Sequence, residues 1–283
     1  MRGLVRSIRT LSVSALLLLA TAPARATYVQ VEFSGPSQPY YSQIGPTSLS
    51  ASGYGVLAAA DLGSGSLRAS AHHDGSTNTY GAEAAAYFFS VGLTNAGLAP
   101  VTLGDSLHPL TLDVSAVMSD AGVGDGLIYH VVDAGFVSAL NGVSLPDTGL
   151  HFQYSTTWSS GTASHSALTL QPQAAVTIEQ ATYGALAFTL ALPEVTLNPG
   201  DSLSINAFLG VQSRMITDFS YGPTGITDAA STPARLQLVL PRGSQITSDA
   251  GVPLTWITVP EPSLAVLVGV ALALLARSQK SGS

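Results

Sequence analysis

Along most of this chain apolar residues alternate with small or polar ones, and a period of two fits only a β-strand with one buried and one solvated face. The pattern is plain in residues 28–33 (YVQVEF), 110–118 (LTLDVSAVM), 150–157 (LHFQYSTT), 175–179 (AVTIE), 202–211 (SLSINAFLGV), 236–240 (LQLVL) and 254–259. Turn formers separate such segments: Gly35-Pro36, Gly45-Pro46, Asn95-Ala96-Gly97, Asn141-Gly142, Asn198-Pro199-Gly200-Asp201 and Gly222-Pro223. Short strands punctuated in this way predict an all-β fold, a single large β-sandwich, jelly-roll-like, over residues 27–258. The alanine-rich stretch 82–91 (AEAAAYFFSV) has helix-forming composition. Its Tyr87, Phe89 and Val91 nevertheless alternate with Ala86, Phe88 and Ser90, so a strand is expected there too.

With 46% hydrophobic and 10% charged residues over 283 positions, the chain has enough apolar content for a large core, and a disordered protein is excluded. It has no cysteine, so its stability must come from burial and sheet hydrogen bonds. Six of the ten basic residues lie in the two ends, leaving Arg68, Arg214, Arg235 and Arg242 against sixteen carboxylates in residues 27–259, a net of −12. A body so anionic repels nucleic acid and acidic lipid, so neither is an expected partner. The glycine-rich patches Gly63-Ser64-Gly65-Ser66 and 119–126 are short enough for hairpin loops, and no long linker or repeat divides the body.

The ends read as addresses. Arg2, Arg6 and Arg9 precede an apolar run at 11–20 (LSVSALLLLA) and the small-x-small triplet Ala24-Arg25-Ala26, the three parts of a secretory signal. Cleavage by signal peptidase after Ala26 leaves Thr27 as the new N-terminus, making residues 1–26 a signal peptide. A ten-residue apolar run followed by Pro23 is too short to span a bilayer core of about 30 Å. At the other end, Pro260-Glu261-Pro262 precedes residues 264–276 (LAVLVGVALALLA), which carry no polar side chain, and then Arg277 and Lys280. The prolines force an extended approach, so a hydrophobic helix starts after them. The basic end holds its terminus on the cytoplasmic side of the inner membrane and leaves the body outside.

Pro260-Glu261-Pro262, the apolar run and the basic end resemble the PEP-CTERM sorting signal of Gram-negative bacteria, over residues 259–283. The resemblance implies recognition by exosortase, a membrane-embedded cysteine transpeptidase-like enzyme, with inner-membrane anchorage during sorting. It also implies an origin in cells that make exopolysaccharide. The expected location is the cell surface or extracellular matrix.

Catalytic patterns are missing from the sequence: no G-x-S-x-G, H-E-x-x-H, G-x-x-x-x-G-K or G-x-G-x-x-G occurs. The six histidines (His72, His73, His108, His130, His151, His165) are scattered and read as surface residues. His72 and His73, adjacent in a strand, face opposite ways, as do Ser164 and His165. No catalytic residue and no resident cofactor is expected. Asp120 and Asp125 in a glycine-rich loop are the one suggestion of calcium, with turn formation the favoured role. A glycosidase carboxylate pair leaves no sequence spacing, so Glu32, Glu83, Glu179 and Glu194 stay open. Tyr40, Tyr41, Trp158 and Trp256 are candidates for a sugar-stacking face, with half-buried packing as the competing role. These features suggest an exported, non-catalytic structural or adhesive protein. The alternative is a carbohydrate-binding module or polysaccharide-acting enzyme delivered by the same route.

Overall fold

The computed structural model describes residues 28–35, 38–53, 55–73, 82–121, 125–159, 162–172, 176–182, 184–216 and 224–259. The whole signal peptide, with Ala24, Ala26 and Thr27, lies outside these residues, as do Pro260, Glu261, Pro262, Arg277 and Lys280. Among the described residues the regular structure is all β. The first third supplies β1 (Tyr28–Gly35), β2 (Gln38–Gly45), β3 (Ser48–Gly53), β4 (Val56–Asp61), β5 (Ser66–His73), β6 (Ala82–Asn95) and β7 (Val101–Leu103). Next come β8 (Leu110–Ala121), β9 (Gly126–Leu140), β10 (Val143–Ser144), β11 (Thr148–Ser159), β12 (Thr162–Pro172), β13 (Val176–Thr182) and β14 (Ala185–Ala191). The last are β15 (Val195–Leu197), β16 (Ser202–Ile216), β17 (Thr224–Asp228), β18 (Ala234–Val239), β19 (Ile246–Ser248) and β20 (Ile257–Thr258).

Two large sheets form a sandwich-like body. Sheet A runs β12-β11-β9-β16-β6-β1-β2, with β10 on β9 and β19 on β6; sheet B runs β13-β14-β8-β17-β5-β18-β20, with β3 and β4 extending it through β5. The chain repeatedly crosses between them: β5 in B, β6 in A, β8 in B, β9 and β11 in A, β14 in B, β16 in A, β17 in B. The long β16 therefore inserts between β6 and β9, antiparallel to both.

Alternation decides which side of each strand meets the other sheet. β14 buries Leu186, Phe188 and Leu190, and β8 buries Leu112, Val114, Ala116 and Met118 while Val117 and Ser119 face water. From the other side β16 contributes Leu203, Ile205, Ala207, Leu209 and Val211, and β9 contributes Val132, Ala134 and Phe136, all in one continuous core. Each large apolar side chain fully withdrawn from water supplies about 1.5–3 kcal/mol, which is how a chain without disulfides holds two broad sheets together.

The alanine-rich segment is β6, a strand as expected, and it runs on to Asn95. Asn141 (φ 51°) and Gly142 (φ 82°) both take left-handed backbone and close the β9–β10 hairpin, the geometry a two-residue hairpin turn requires. Gly63, Ser64 and Gly65 do lie in the β4–β5 hairpin loop, and Ser66 opens β5. Residues 119–126 do not form one: β8 continues to Ala121, and the connection passes from sheet B to sheet A. Only Ile257 and Thr258 of the expected strand at 254–259 are extended, parallel to β18, because Trp256 turns into the core beneath the β4–β5 hairpin.

Candidate functional site

The outer side of sheet A carries the chemistry. Strand pairing places His151 (β11), Asp133 (β9), Gly210 (β16), Ala85 (β6), Glu32 (β1) and Ser42 (β2) in one row across the sheet. One row further along β16 lie Gly149, Gly135, Phe208, Tyr87 and Gln30, and one row back lie Gln153, Val131, Gln212 and Glu83. All point outward because their chain neighbours Val132, Ala134, Leu209, Val211, Ala84, Ala86 and Val31 fill the core. The middle of the first row is therefore a floor of Gly210 and Ala85, with acidic residues at either end and aromatic rings along one side.

The rings form a chain. Tyr28 and Phe89 stack with centroids 4.6 Å apart, Phe89 and Tyr87 at 5.5 Å, and Tyr87 and Phe208 at 6.4 Å. Tyr87 and Phe89 are nearly buried, whereas Tyr28 and Phe208 are half-buried. Phe208 lies against its neighbouring strand at Gly135, where an added Cβ would come within 2.7 Å of the ring. Glycine at that position is thus what allows the ring to lie down on the sheet. A bulge sharpens the arrangement: Ala207 pairs with Phe88 and Ile205 with Val91, so Phe89 and Ser90 together oppose Asn206. Ser90 takes φ 52°, and its N–H donates to Asn206 Oδ1 at 2.8 Å. Such a bulge bends the strand and re-aims its side chains.

Three carboxylates share this face. His151 Nδ1 lies 2.5 Å from Asp133 Oδ1, with both side chains about one-quarter exposed (24% and 29%), and that hydrogen bond raises the imidazole above its usual range. Burial raises the Glu83 carboxyl, opposed by a hydrogen bond donated by the Gln212 amide and by the charge of Arg214. Glu32 accepts from the Tyr87 hydroxyl at 3.3 Å, from Ser42 at 3.5 Å, and from the Gln30 amide. Partial desolvation of the hydroxyl, a hydrogen bond with Glu32 and the Glu32 charge push the Tyr40 hydroxyl up, while the side chain as a whole stays 57% exposed.

The outer side of sheet B is different. Ser66, Ser70, Ser115, Ser119, Ala59, Ala187 and Thr189 lie on it, with Val117 and Ile226 as exposed aliphatic side chains. A shallow depression of about 900 Å³ is lined there by Ser48, Ser50, Asp61, Arg68, His72 and Asp228, without a Phe, Tyr or Trp.

Several residues singled out by the sequence pattern fall elsewhere. Trp256 is 5% exposed, and its indole N–H donates to the Leu62 carbonyl at 2.9 Å, so it is a core residue rather than a stacking surface. Trp158 shares the inward parity of Phe152 and Tyr154 on β11. Tyr40 and Tyr41 are exposed on the edge strand β2, and only Tyr40 has the parity of the outer row. Glu179 sits on the edge strand β13 and Glu194 in a connection, apart from Glu32 and Glu83. Ser164 and His165 are consecutive on β12; the His165 and His73 side chains lie outside the described part.

The surface assignment of the histidines fails for His130, which is fully buried. Asp120, expected at a turn, instead closes β8 with its side chain 1% exposed, 3.8 Å from His130 Nε2. Thr227 donates its hydroxyl proton to the Gln212 carbonyl (2.8 Å) and so accepts from His130 Nδ1 (2.9 Å). Asp120 and His130 Nε2 are too far apart for a hydrogen bond and none of the three side chains reaches solvent, so the cluster links the two sheets. Asp125 stands exposed just before β9, whereas the Asp120 side chain is buried. Among the described residues no three His, Asp or Glu side chains converge in a metal-binding group.

No family model matches this chain, and no curated protein or solved structure matches it either.

Proposed function

We propose that this is an exported, non-catalytic adhesive protein of the bacterial envelope that engages polysaccharide through the outer face of sheet A. The observation that carries the reading is the gathering of Phe208, Tyr28 and Tyr40 with Asp133 and Glu83 on one side of the sheet, above a buried Glu32. Rings present flat apolar area to sugar C–H faces, and carboxylates accept from sugar hydroxyls. Residues 1–26 direct export, and residues 259–283, with Pro260-Glu261-Pro262 as the motif, direct exosortase sorting to the surface or the exopolysaccharide matrix. The body, residues 27–258, is read as one jelly roll. The strand order β5-β17-β8-β14 facing β6-β16-β9-β11 supports this, being the order two interleaved Greek keys produce.

A polysaccharide-acting enzyme is the second reading, favoured by one observation: Glu83 is a carboxyl raised by burial on the same face as Asp133 and Glu32. Hydrolysis of a glycan that stops on Glu83→Gln would establish it; an inert protein that still binds glycan supports adhesion.

Two measurements test the main reading separately. Mass spectrometry of the mature protein from exosortase-containing cells should find residues 1–26 and 264–276 removed, and Glu261→Ala should retain the full-length form. A mature protein from such cells still carrying residues 264–276 would end the sorting claim. Co-sedimentation with cell-free exopolysaccharide tests adhesion, and protein left wholly in the supernatant would end that claim.

A further inference from the structure

We infer that the outer face of sheet A selects a neutral polysaccharide, laying one pyranose ring on Phe208 with its hydroxyls on Asp133, and turns away uronate- and sulfate-bearing polymers. This rests on the polysaccharide-binding reading above and adds the ligand class and the residues that set it.

Geometry supplies the platform. Phe208 lies at Gly135, whose own cross-strand partner is Gly149, so two side-chain-free positions run beside the ring. Tyr87 blocks the opposite edge. Asp133 is one row along from Gly135 on the same strand and face, within diagonal reach of Phe208. Its Cβ lies 3.7 Å from where a Cβ on Gly210 would sit, so the carboxylate borders the side-chain-free floor. From Asp133 to Glu32 this row crosses three strand spacings, roughly 14 Å, room for more than one sugar ring.

Charge then selects. An ionised carboxylate only accepts hydrogen bonds, so Asp133 with one oxygen on His151 is completed by donors, which vicinal hydroxyls provide and a uronate carboxylate or sulfate does not. Of the basic groups nearby, His151 is bonded to Asp133, and Arg214 is close enough to Glu83 for its charge to favour that carboxylate. Glu32 and Glu83 flank the floor, and the body around them is strongly anionic, so an approaching polyanion meets repulsion at short and long range.

The test uses the full chain purified in detergent, titrated by affinity electrophoresis with a soluble neutral β-glucan, a neutral galactomannan and polygalacturonate. The expected result is binding to at least one neutral polymer, at least tenfold tighter than to polygalacturonate at low salt. Phe208→Leu, which keeps apolar contact without a flat ring, and Asp133→Asn should each weaken that binding tenfold or more with unchanged circular dichroism. Phe208→Ala should match Phe208→Leu. Tighter binding of polygalacturonate, or neutral-polymer binding that survives both Phe208→Leu and Asp133→Asn, overturns the inference and leaves the broader reading standing. Failure of all three polymers and of the native exopolysaccharide to bind removes both.

Discussion

Of the three histidine–aspartate pairs among the described residues, two lie on the strands of the sandwich, and their placement separates what stabilises the fold from what is available to a ligand. His130 and Asp120 meet inside the sandwich, with Thr227 completing the chain of contacts. His151 and Asp133 meet on the outer face of sheet A, beside the floor of Gly210 and Ala85. The side-chain chemistry is the same. Strand parity alone decides the outcome: His130 shares the inward parity of Val132 and Ala134, and His151 the outward parity opposite Leu150 and Phe152. The interior pair lacks access, and at 3.8 Å it also lacks the hydrogen bond a relay needs. The surface pair has access, a neighbouring aromatic ring and a proton affinity shifted by its partner.

The largest expected effects lie with the buried groups. His130→Ala leaves a cavity between the sheets and removes the imidazole facing Asp120, and should cost about 2–5 kcal/mol, read as a lowered urea midpoint. Trp256→Ala should cost a similar ~3–5 kcal/mol through the cavity it leaves, with glycan binding retained by whatever fraction stays folded. Gly135→Val comes next. Its side chain collides with the Phe208 ring and with the Thr148 carbonyl 3.0 Å away, so a destabilisation of about 1–3 kcal/mol should accompany loss of binding. Binding that survives Gly135→Val would break the link between that glycine and the platform.

Smaller effects belong to the surface pair. His151→Ala should change stability by about 1 kcal/mol or less, because both partners are partly solvated. NMR titration should place the His151 midpoint above the ordinary ~6.5, and Asp133→Asn should bring it back down. The sign follows from the raised value: the pair's stabilising contribution is complete below the unfolded pKa of about 6.5 and is lost as pH rises through the higher folded one. Ser115→Ala on the outer face of sheet B should be the smallest effect, within about 0.5 kcal/mol and without influence on binding.

Much of the fold is readable from the chain itself. Period-two alternation marks β1, β8 and β16, and Asn141-Gly142 marks its hairpin, because both signals act between near neighbours in sequence. The functional face is different in kind. Its central row takes Glu32, Ala85, Asp133, His151 and Gly210 from five strands, and the order of those strands is set by crossovers between sheets that no local pattern encodes. Aromatic size misleads for a related reason: the area that suits Trp256 to a sugar suits it equally to the core, and the ring lies buried under the β4–β5 hairpin. Phe208 carries no comparable signal, since what lays it on the sheet is Gly135, more than seventy residues away.

The most direct test is amide chemical-shift mapping of the isotopically labelled protein with a neutral oligosaccharide bound. Shifts should centre on Asp133, Gly135, Phe208 and Gly210, with His151 following. Shifts confined instead to Ser70, Ser115 and Asp228 on the outer face of sheet B would contradict a sugar-binding role for sheet A.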